Sequence, residues 1–151
     1  ARTVGKDWEQ TRKSWYIFAF QIPFLPEWSA SLGDYEYAAK AIAGAMRPGT
    51  FSDSEWAEYR RAWAQPGAFS AMLNWYRAAG QIRTPLPKNR YLQMPTRIIW
   101  GAQDIALIKE GAEMSMEFVP NGDLIYIEEA GHFVQHEEPQ RVNRLIEEFV
   151  G

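Results

Sequence analysis

Two side chains in the last third of the chain have the types and positions of a catalytic acid–base pair. His132 follows an apolar run at residues 124–127 and precedes a helical pattern at Pro139–Val150. Asp104 follows a second apolar run, which ends at Trp100. A carboxylate that accepts a hydrogen bond from one histidine ring nitrogen fixes the tautomer and stabilises the imidazolium formed on proton transfer. We therefore interpret Asp104 as the acid partner and His132 as the general base.

Both residues follow expected parallel strands, at the sheet edge where open α/β sheets gather their active sites. The order acid then histidine is the second half of a nucleophile–acid–base triad. No Gly-x-Ser-x-Gly, Gly-x-Asp-x-Gly or Gly-x-Cys-x-Gly occurs in the sequence, and it has no cysteine. Taken singly, Asp104 could be a turn residue and His132 a hydrogen-bonded loop residue. Their joint order and positions favour the catalytic interpretation of the pair. His136 could compete with His132 for the role of base, but we expect it to be solvated.

Composition excludes several classes of function. A hydrophobic fraction of 46% in 151 residues provides a core for about one domain. The net charge of −3 argues against a nucleic-acid partner or an anionic membrane surface. No apolar stretch approaches the roughly 20 residues of a membrane span. We find no metal-ligand spacing and no phosphate loop, so we expect no metal and no cofactor. These features fit a cytoplasmic enzyme.

The pattern of the chain changes near residues 85–87, Pro-Leu-Pro. Residues 1–85 are aromatic and helical, whereas residues 86–151 alternate strands and helices, the α/β pattern of parallel strands covered by helices. We expect helices at residues 8–20, 35–45, 52–64 and 67–79, then a strand at 96–100, a helix at 109–118, a strand at 123–127 and a helix at 139–150. Two parallel strands cannot form a stable sheet alone, and the sequence lacks an initiator Met. We therefore expect a fragment that is inactive and poorly folded by itself.

Four motifs carry a resemblance to a known family. Residues 100–104 (Trp-Gly-Ala-Gln-Asp) and 130–133 (Ala-Gly-His-Phe) are general to α/β-hydrolases. Residues 20–27 (Phe-Gln-Ile-Pro-Phe-Leu-Pro-Glu) and 73–77 (Leu-Asn-Trp-Tyr-Arg) are more discriminating. The sequence resembles the helical cap and C-terminal half of an α/β-hydrolase, within the epoxide hydrolase family.

The resemblance implies a cap at residues 1–85 and the last two strand–helix units of the core at 86–151. It also implies a reaction without a cofactor, in which an aspartate outside this chain opens a small apolar epoxide as an ester. His132, with Asp104, would activate the water that releases the diol. The partner of the chain would be the missing N-terminal half of the hydrolase core.

Members of this family use two cap tyrosines as donors to the epoxide oxygen. The Asn-Trp-Tyr-Arg motif at residues 74–77 implies Tyr76, although an aromatic at helical spacing can be simple core. Some relatives carry the other tyrosine directly before the Phe-Gln pair, where this chain has Ala19. Others carry it one turn earlier after Ser-Trp, which implies Tyr16. The residues assigned to substrate binding, with cap packing as the alternative, are Trp15, Phe20, Trp75 and Phe133.

Three other interpretations stay open. Residues 23–27 and 76–79 also resemble fluoroacetate-type dehalogenases, members of the haloacid and haloalkane dehalogenase group, but the His-Trp pair that binds halide would here be Trp15–Tyr16. A serine esterase or haloperoxidase would differ at the nucleophile outside the chain. A hydrolase-like module that only binds a ligand or partner is the non-enzymatic alternative.

Overall fold

The computed structural model describes residues 8–81 and 89–151, which form two compact units. One, the sheet unit, contains residues 8–13, 45–50 and 89–151, and the other, the helical unit, contains residues 14–44 and 51–81. The expected boundary between residues 85 and 86 lies outside the described residues, so the division into 1–85 and 86–151 stays a prediction. The elements in chain order are α1 (Trp8–Lys13), α2 (Trp15–Ala19), α3 (Leu25–Ser31), α4 (Glu36–Ala43), α5 (Asp53–Trp63), α6 (Ala68–Gln81), β1 (Thr96–Gly101), α7 (Glu110–Met116), β2 (Gly122–Ile127), α8 (Val134–Glu137) and α9 (Pro139–Val150).

The sheet unit is built on a parallel pair of strands. β1 pairs with β2 in a register that runs from Thr96 opposite Gly122 to Gly101 opposite Ile127. The predicted strand–helix–strand–helix order is confirmed, and each strand is one residue longer than expected. The core between the sheet and α9 contains Ile127, Ala130 and Val142, with Ile99, Val134 and Leu145 packed against it.

Arg97 joins both strands to the last helix. It lies opposite Asp123 in the register and donates to that carboxylate from Nε at 3.0 Å and from Nη2 at 2.7 Å. Its Nη1 donates to the Leu145 carbonyl at 2.8 Å, and its guanidinium lies 5.2 Å from the Phe149 ring centroid. This one side chain of β1 therefore binds both β2 and α9, and it fixes the position of α9 on the sheet.

The helical unit departs from the prediction in two places. The expected helix at residues 8–20 is broken at Ser14, whose backbone (φ −90°, ψ 15°) leaves the helical region and separates α1 from α2. Helix α3 lies between two expected helices and was not itself predicted. Pro26 occupies its first turn, where the missing N–H has no helical acceptor to lose. Helix α5 begins with a capping box: the Ser52 Oγ accepts from Glu55 N–H at 3.3 Å, and the Glu55 Oε2 accepts from Ser52 N–H at 2.8 Å.

The carboxyl end of β1 touches the loop that follows β2. A Cβ added to Gly101 would lie 2.0 Å from the Gly131 carbonyl oxygen and 2.6 Å from that of Ala130. Hydrogen bonds hold the two segments at this separation: Ala102 N–H donates to the Ile127 carbonyl at 3.0 Å. Only glycine fits here.

Among residues 8–81 and 89–151, none of the helices has both the length and the hydropathy of a membrane span.

Gly101→Ala should destabilise the protein, because the new methyl group meets backbone atoms that cannot rotate away. Overpacking of this kind costs about 1–3 kcal/mol. Gly111→Ala is the matched control: it lies in α7 with nothing within 4 Å of an added Cβ, so it should be neutral or stabilising by about 0.5–1 kcal/mol. Denaturant unfolding of the intact protein measures both. Equal stability of the two variants would contradict the close approach.

Candidate active site

The structure places Asp104 and His132 in direct contact. The Asp104 Oδ2 and His132 Nδ1 atoms are 2.9 Å apart. The Asp104 side chain is only 6% exposed, whereas 33% of the His132 side chain is open to solvent. Because Nδ1 faces the carboxylate, Nε2 is the ring nitrogen that can accept a proton from a reactant. The pair has the geometry of an oriented general base.

Asp104 is held by the turn that follows β1. Its Oδ1 accepts hydrogen bonds from the backbone N–H groups of Ala106 at 2.8 Å and Leu107 at 2.9 Å. The turn-residue and catalytic interpretations of Asp104 are thus compatible, since each role uses a different carboxylate oxygen. Gln10 fixes the same turn from α1: it donates to the Ala106 carbonyl at 3.1 Å and accepts from Ile108 N–H at 3.0 Å.

The loop that carries His132 is held through its backbone. Its own N–H donates to the Ala45 carbonyl at 3.2 Å. The flanking N–H groups, of Gly131 and Phe133, donate to the two carboxylate oxygens of Glu137 at 2.8 and 3.2 Å. The Phe133 ring stands edge-to-face against the imidazole with centroids 5.0 Å apart. His136 is exposed, as expected from the sequence.

The sequence did not single out Gln10 or Glu137, although both are buried. Glutamine and glutamate on short helices are most often solvated, so residue type and spacing gave no signal. The only available signal was the position of Glu137, less than two helical turns after His132. The structure shows that each of the two supports one half of the Asp104–His132 pair.

Both members of the pair titrate away from their ordinary values. The hydrogen bond to Asp104 raises the pKa of His132, burial opposes this, and the negative charges of Asp104 and Glu137 add to the increase. Burial alone would raise the pKa of Asp104. The hydrogen bonds from His132 and from the Leu107 and Ala106 N–H groups outweigh it, so the pKa of Asp104 lies below its usual range. The charged pair is therefore favoured over a neutral one.

Within the helical unit the structure brings the two predicted tyrosines together. Tyr16 and Tyr76 are edge-to-face with ring centroids 5.8 Å apart, and Phe20 contacts both at 5.6 and 5.2 Å. Arg77, next to Tyr76, donates from Nε to the Phe20 carbonyl at 2.8 Å and from Nη1 to the Glu27 carboxylate at 2.6 Å. These bonds join α6 to the segment after α2 and so fix the three rings of Tyr16, Phe20 and Tyr76, which we call the aromatic triangle.

An apolar cavity of about 430 Å³ lies between the helices of this unit. Its wall includes Phe20 and Tyr76 of the aromatic triangle. Trp15 and Trp75 are 67% and 79% exposed and are not among its lining residues. Their assignment to substrate binding, and those of Phe20 and Phe133, stay predictions. The other lining residues are Pro26, Ser29, Ala30, Leu32, Tyr37, Ala38, Ala41, Ile42, Phe69, Met72 and Leu73.

Comparison with known proteins identifies the family. A model described as "Alpha/beta hydrolase family" matches residues 5–145. The chain belongs to the α/β-hydrolase family. The predicted fold class and the resemblance to the α/β-hydrolase family are therefore confirmed. The assignments of roles to Asp104, His132, Tyr16 and Tyr76 remain predictions.

Several relatives of this α/β-hydrolase are named epoxide hydrolases. Epoxide hydrolase 2 of Caenorhabditis elegans is 32% identical over 94% of the chain, and AB hydrolase superfamily protein YfhM of Bacillus subtilis is 43% identical over 93%. The chain spans 41% and 49% of their lengths. A Bacillus megaterium epoxide hydrolase, solved with an inhibitor, superposes with a TM-score of 0.83 at 26% identity, over 99% of this chain and 55% of that structure.

The pKa shifts of this α/β-hydrolase predict when the acid–base pair stabilises the fold. His132, with a raised folded pKa, contributes stability below its unfolded pKa and loses it as pH rises through the folded value. Asp104, with a lowered folded pKa, contributes above its unfolded pKa and loses it as pH falls through the folded value. Asp104→Asn should thus destabilise the intact protein more at about pH 5.5 than at about pH 9. Urea unfolding at both pH values measures this, and a cost independent of pH would contradict it.

Proposed function

We propose that this α/β-hydrolase chain is part of an epoxide hydrolase that converts an apolar epoxide to a vicinal diol through a covalent aspartyl ester. The observation that carries the proposal is the contact between Tyr16 and Tyr76, which come from helices α2 and α6. Ester hydrolysis by a serine enzyme needs no pair of phenols. Opening an epoxide develops negative charge on the ring oxygen, and two phenolic O–H groups are suited to stabilise it.

The first step is nucleophilic opening of the three-membered ring. A carboxylate supplied by a part of the enzyme outside these 151 residues attacks one epoxide carbon. The carbon–oxygen bond to that carbon breaks, and the carboxylate becomes an ester of the substrate. The leaving oxygen becomes an alkoxide, which receives a hydrogen bond and then a proton from Tyr16 or Tyr76.

The second step is hydrolysis of the ester. His132 takes a proton from water at Nε2, and the resulting hydroxide adds to the ester carbonyl carbon. Collapse of the tetrahedral intermediate breaks the acyl bond, regenerates the carboxylate and releases the diol. The imidazolium then loses its proton to solvent, and the tyrosinate left by the first step recovers a proton from solvent. Asp104, 2.9 Å from Nδ1, stabilises the imidazolium in between.

The cavity of the helical unit supports an apolar substrate. It shares Phe20 and Tyr76 with the aromatic triangle, and its lining residues carry no charged side chain. Its volume of about 430 Å³ lies within the roughly 300–1,000 Å³ of small-molecule sites. An alkyl or aryl substituent held against Tyr76 would leave the epoxide oxygen near the phenols. The names of the epoxide hydrolase relatives support an epoxide as the reacting group.

Tyr16→Phe and Tyr76→Phe in the intact protein should each slow epoxide opening, because each removes one donor aimed at the developing alkoxide. Loss of one such donor costs up to about 100- to 1000-fold in kcat. The remaining tyrosine masks part of the loss, so the double variant should fall further. Single-turnover assays with styrene oxide measure this step. Tyr59→Phe is the control, since Tyr59 packs with Phe51, Trp56 and Trp63 in another cluster.

Four substrates separate the proposal from its rivals. The intact enzyme should form a diol from styrene oxide and release no halide from fluoroacetate or a chloroalkane. Halide release without diol formation would instead identify a dehalogenase. Hydrolysis of a p-nitrophenyl ester alone would identify an esterase, and the absence of any turnover, with tight ligand binding, a binding module.

His132→Gln in the intact protein should stop the reaction after ester formation, because the histidine acts only on the water of the second step. Incubation with epoxide should then leave a covalent adduct with the mass of the substrate, and steady-state turnover should be lost. His136→Gln is the control and should turn over normally without an adduct. Unimpaired turnover by His132→Gln would remove this residue from the mechanism.

A further inference from the structure

Glu137 is a completely buried carboxylate to which the reaction above gives no role. Its side chain has no solvent exposure, although it lies one residue before the Glu138-Pro139 start of α9. Burying a carboxylate without compensating partners is strongly unfavourable. The partners of Glu137 are therefore informative, because they show what the charge is used for.

Both carboxylate oxygens bind the backbone on either side of His132. Oε2 accepts from Gly131 N–H at 2.8 Å and Oε1 from Phe133 N–H at 3.2 Å. Two bonds from one rigid carboxylate define the path of the backbone through His132. A Cβ on Gly131 would lie 3.1 Å from Oε1 and 3.3 Å from the Ala45 carbonyl oxygen, so a side chain there would crowd this arrangement.

The carboxylate is also a second negative charge near the imidazole. Arg47 counters it only in part, since the Arg47 Nε and Glu137 Oε2 atoms are 3.7 Å apart and Nη2 is engaged by Glu138 Oε1 at 2.6 Å. The charged and titratable side chains that the described contacts place around His132 and Glu137 are as follows. Asp104, from the turn after β1, contacts His132, and the exposed His136 of α8 packs with Phe133. Arg47, from residues 45–50, lies near Glu137 and binds Glu138 at the start of α9.

We propose that Glu137 is a positioning residue for His132: its buried carboxylate fixes the backbone on both sides of the base and supplies a second negative charge that favours the imidazolium. The catalytic role of His132 rests on the proposed function, but the contact between the two residues does not. Asp104 orients the ring through Nδ1, whereas Glu137 orients the backbone from which the ring projects. A base that must present Nε2 to water needs both constraints, because a displacement of about 1 Å can cost about 100-fold in rate.

The test is the titration of His132 by NMR in the intact protein, with the resonance assigned by its loss in His132→Gln. Glu137→Gln keeps the length of the side chain and removes its charge. It should lower the pKa of His132 and move the acid limb of the pH profile of ester hydrolysis, measured as kcat, to lower pH, because the neutral base then persists in more acidic solution. Its kcat should fall by up to about 100-fold.

Glu138→Gln is the matched control. Glu138 binds the same Arg47 and is 25% exposed, so its neutralisation leaves both oxygens of Glu137 with their partners. It should leave the His132 titration and kcat unchanged. A Glu137→Gln variant whose His132 titrates as in wild type would overturn the proposal, as would an equal shift in Glu138→Gln.

Glu137→Asp separates position from charge and tests the proposal if Glu137→Gln does not fold. It keeps the negative charge but shortens the side chain by one methylene, so it cannot reach both N–H groups in their present places. The His132 titration should stay closer to wild type than in Glu137→Gln, while kcat falls. Wild-type kcat in Glu137→Asp would overturn the positioning role. Because the titration needs no substrate, these results stand even if the enzyme proves not to act on epoxides.

Discussion

The close contact between Gly101 and the Gly131 carbonyl is the constraint on which the candidate site depends. Parallel strands end at the same edge of a sheet, but their ends alone do not bring a carboxylate within hydrogen-bonding distance of an imidazole. Here the absence of a side chain at Gly101 lets the loop after β2 cross directly over the end of β1. The Gln103 N–H then donates to the Ala130 carbonyl at 2.9 Å. Asp104 and His132 lie one and two residues beyond that bond.

Buried polar side chains make these loops rigid. A loop exposes backbone N–H and carbonyl groups that have no partner in a ladder or helix, and each one left unsatisfied inside the protein is costly. Gln10 satisfies one carbonyl and one N–H in the Asp104 turn, and Glu137 satisfies two N–H groups beside His132. The same bonds that make burial possible also restrict where the Asp104 and His132 side chains can point.

The elements of the sheet unit, and Asp104 and His132 as two side chains that meet, could be predicted from the sequence because each has a local pattern. β1, β2 and α9 show apolar runs or helical periodicity, and Asp104 and His132 each follow a strand. The break at Ser14 was missed because the apolar spacing continues across it, and α3 was missed because a proline at the first turn of a helix is also common in loops. Gly101, Gln10 and Glu137 could not be identified, since their roles depend on contacts between residues that are distant in sequence or usually exposed.

The side chains that each unit offers suit the charge that the proposed reaction would generate beside them. Epoxide opening creates an oxyanion, and the helical unit offers two neutral phenols, which stabilise negative charge without requiring a buried cation when the site is empty. Ester hydrolysis creates an imidazolium, and the sheet unit offers two carboxylates, both already satisfied by backbone N–H groups. A permanent buried anion is tolerable there because its hydrogen bonds exist before the proton moves. The preorganised carboxylates therefore have little to rearrange when His132 becomes charged, which is the condition under which electrostatic stabilisation lowers a barrier most effectively.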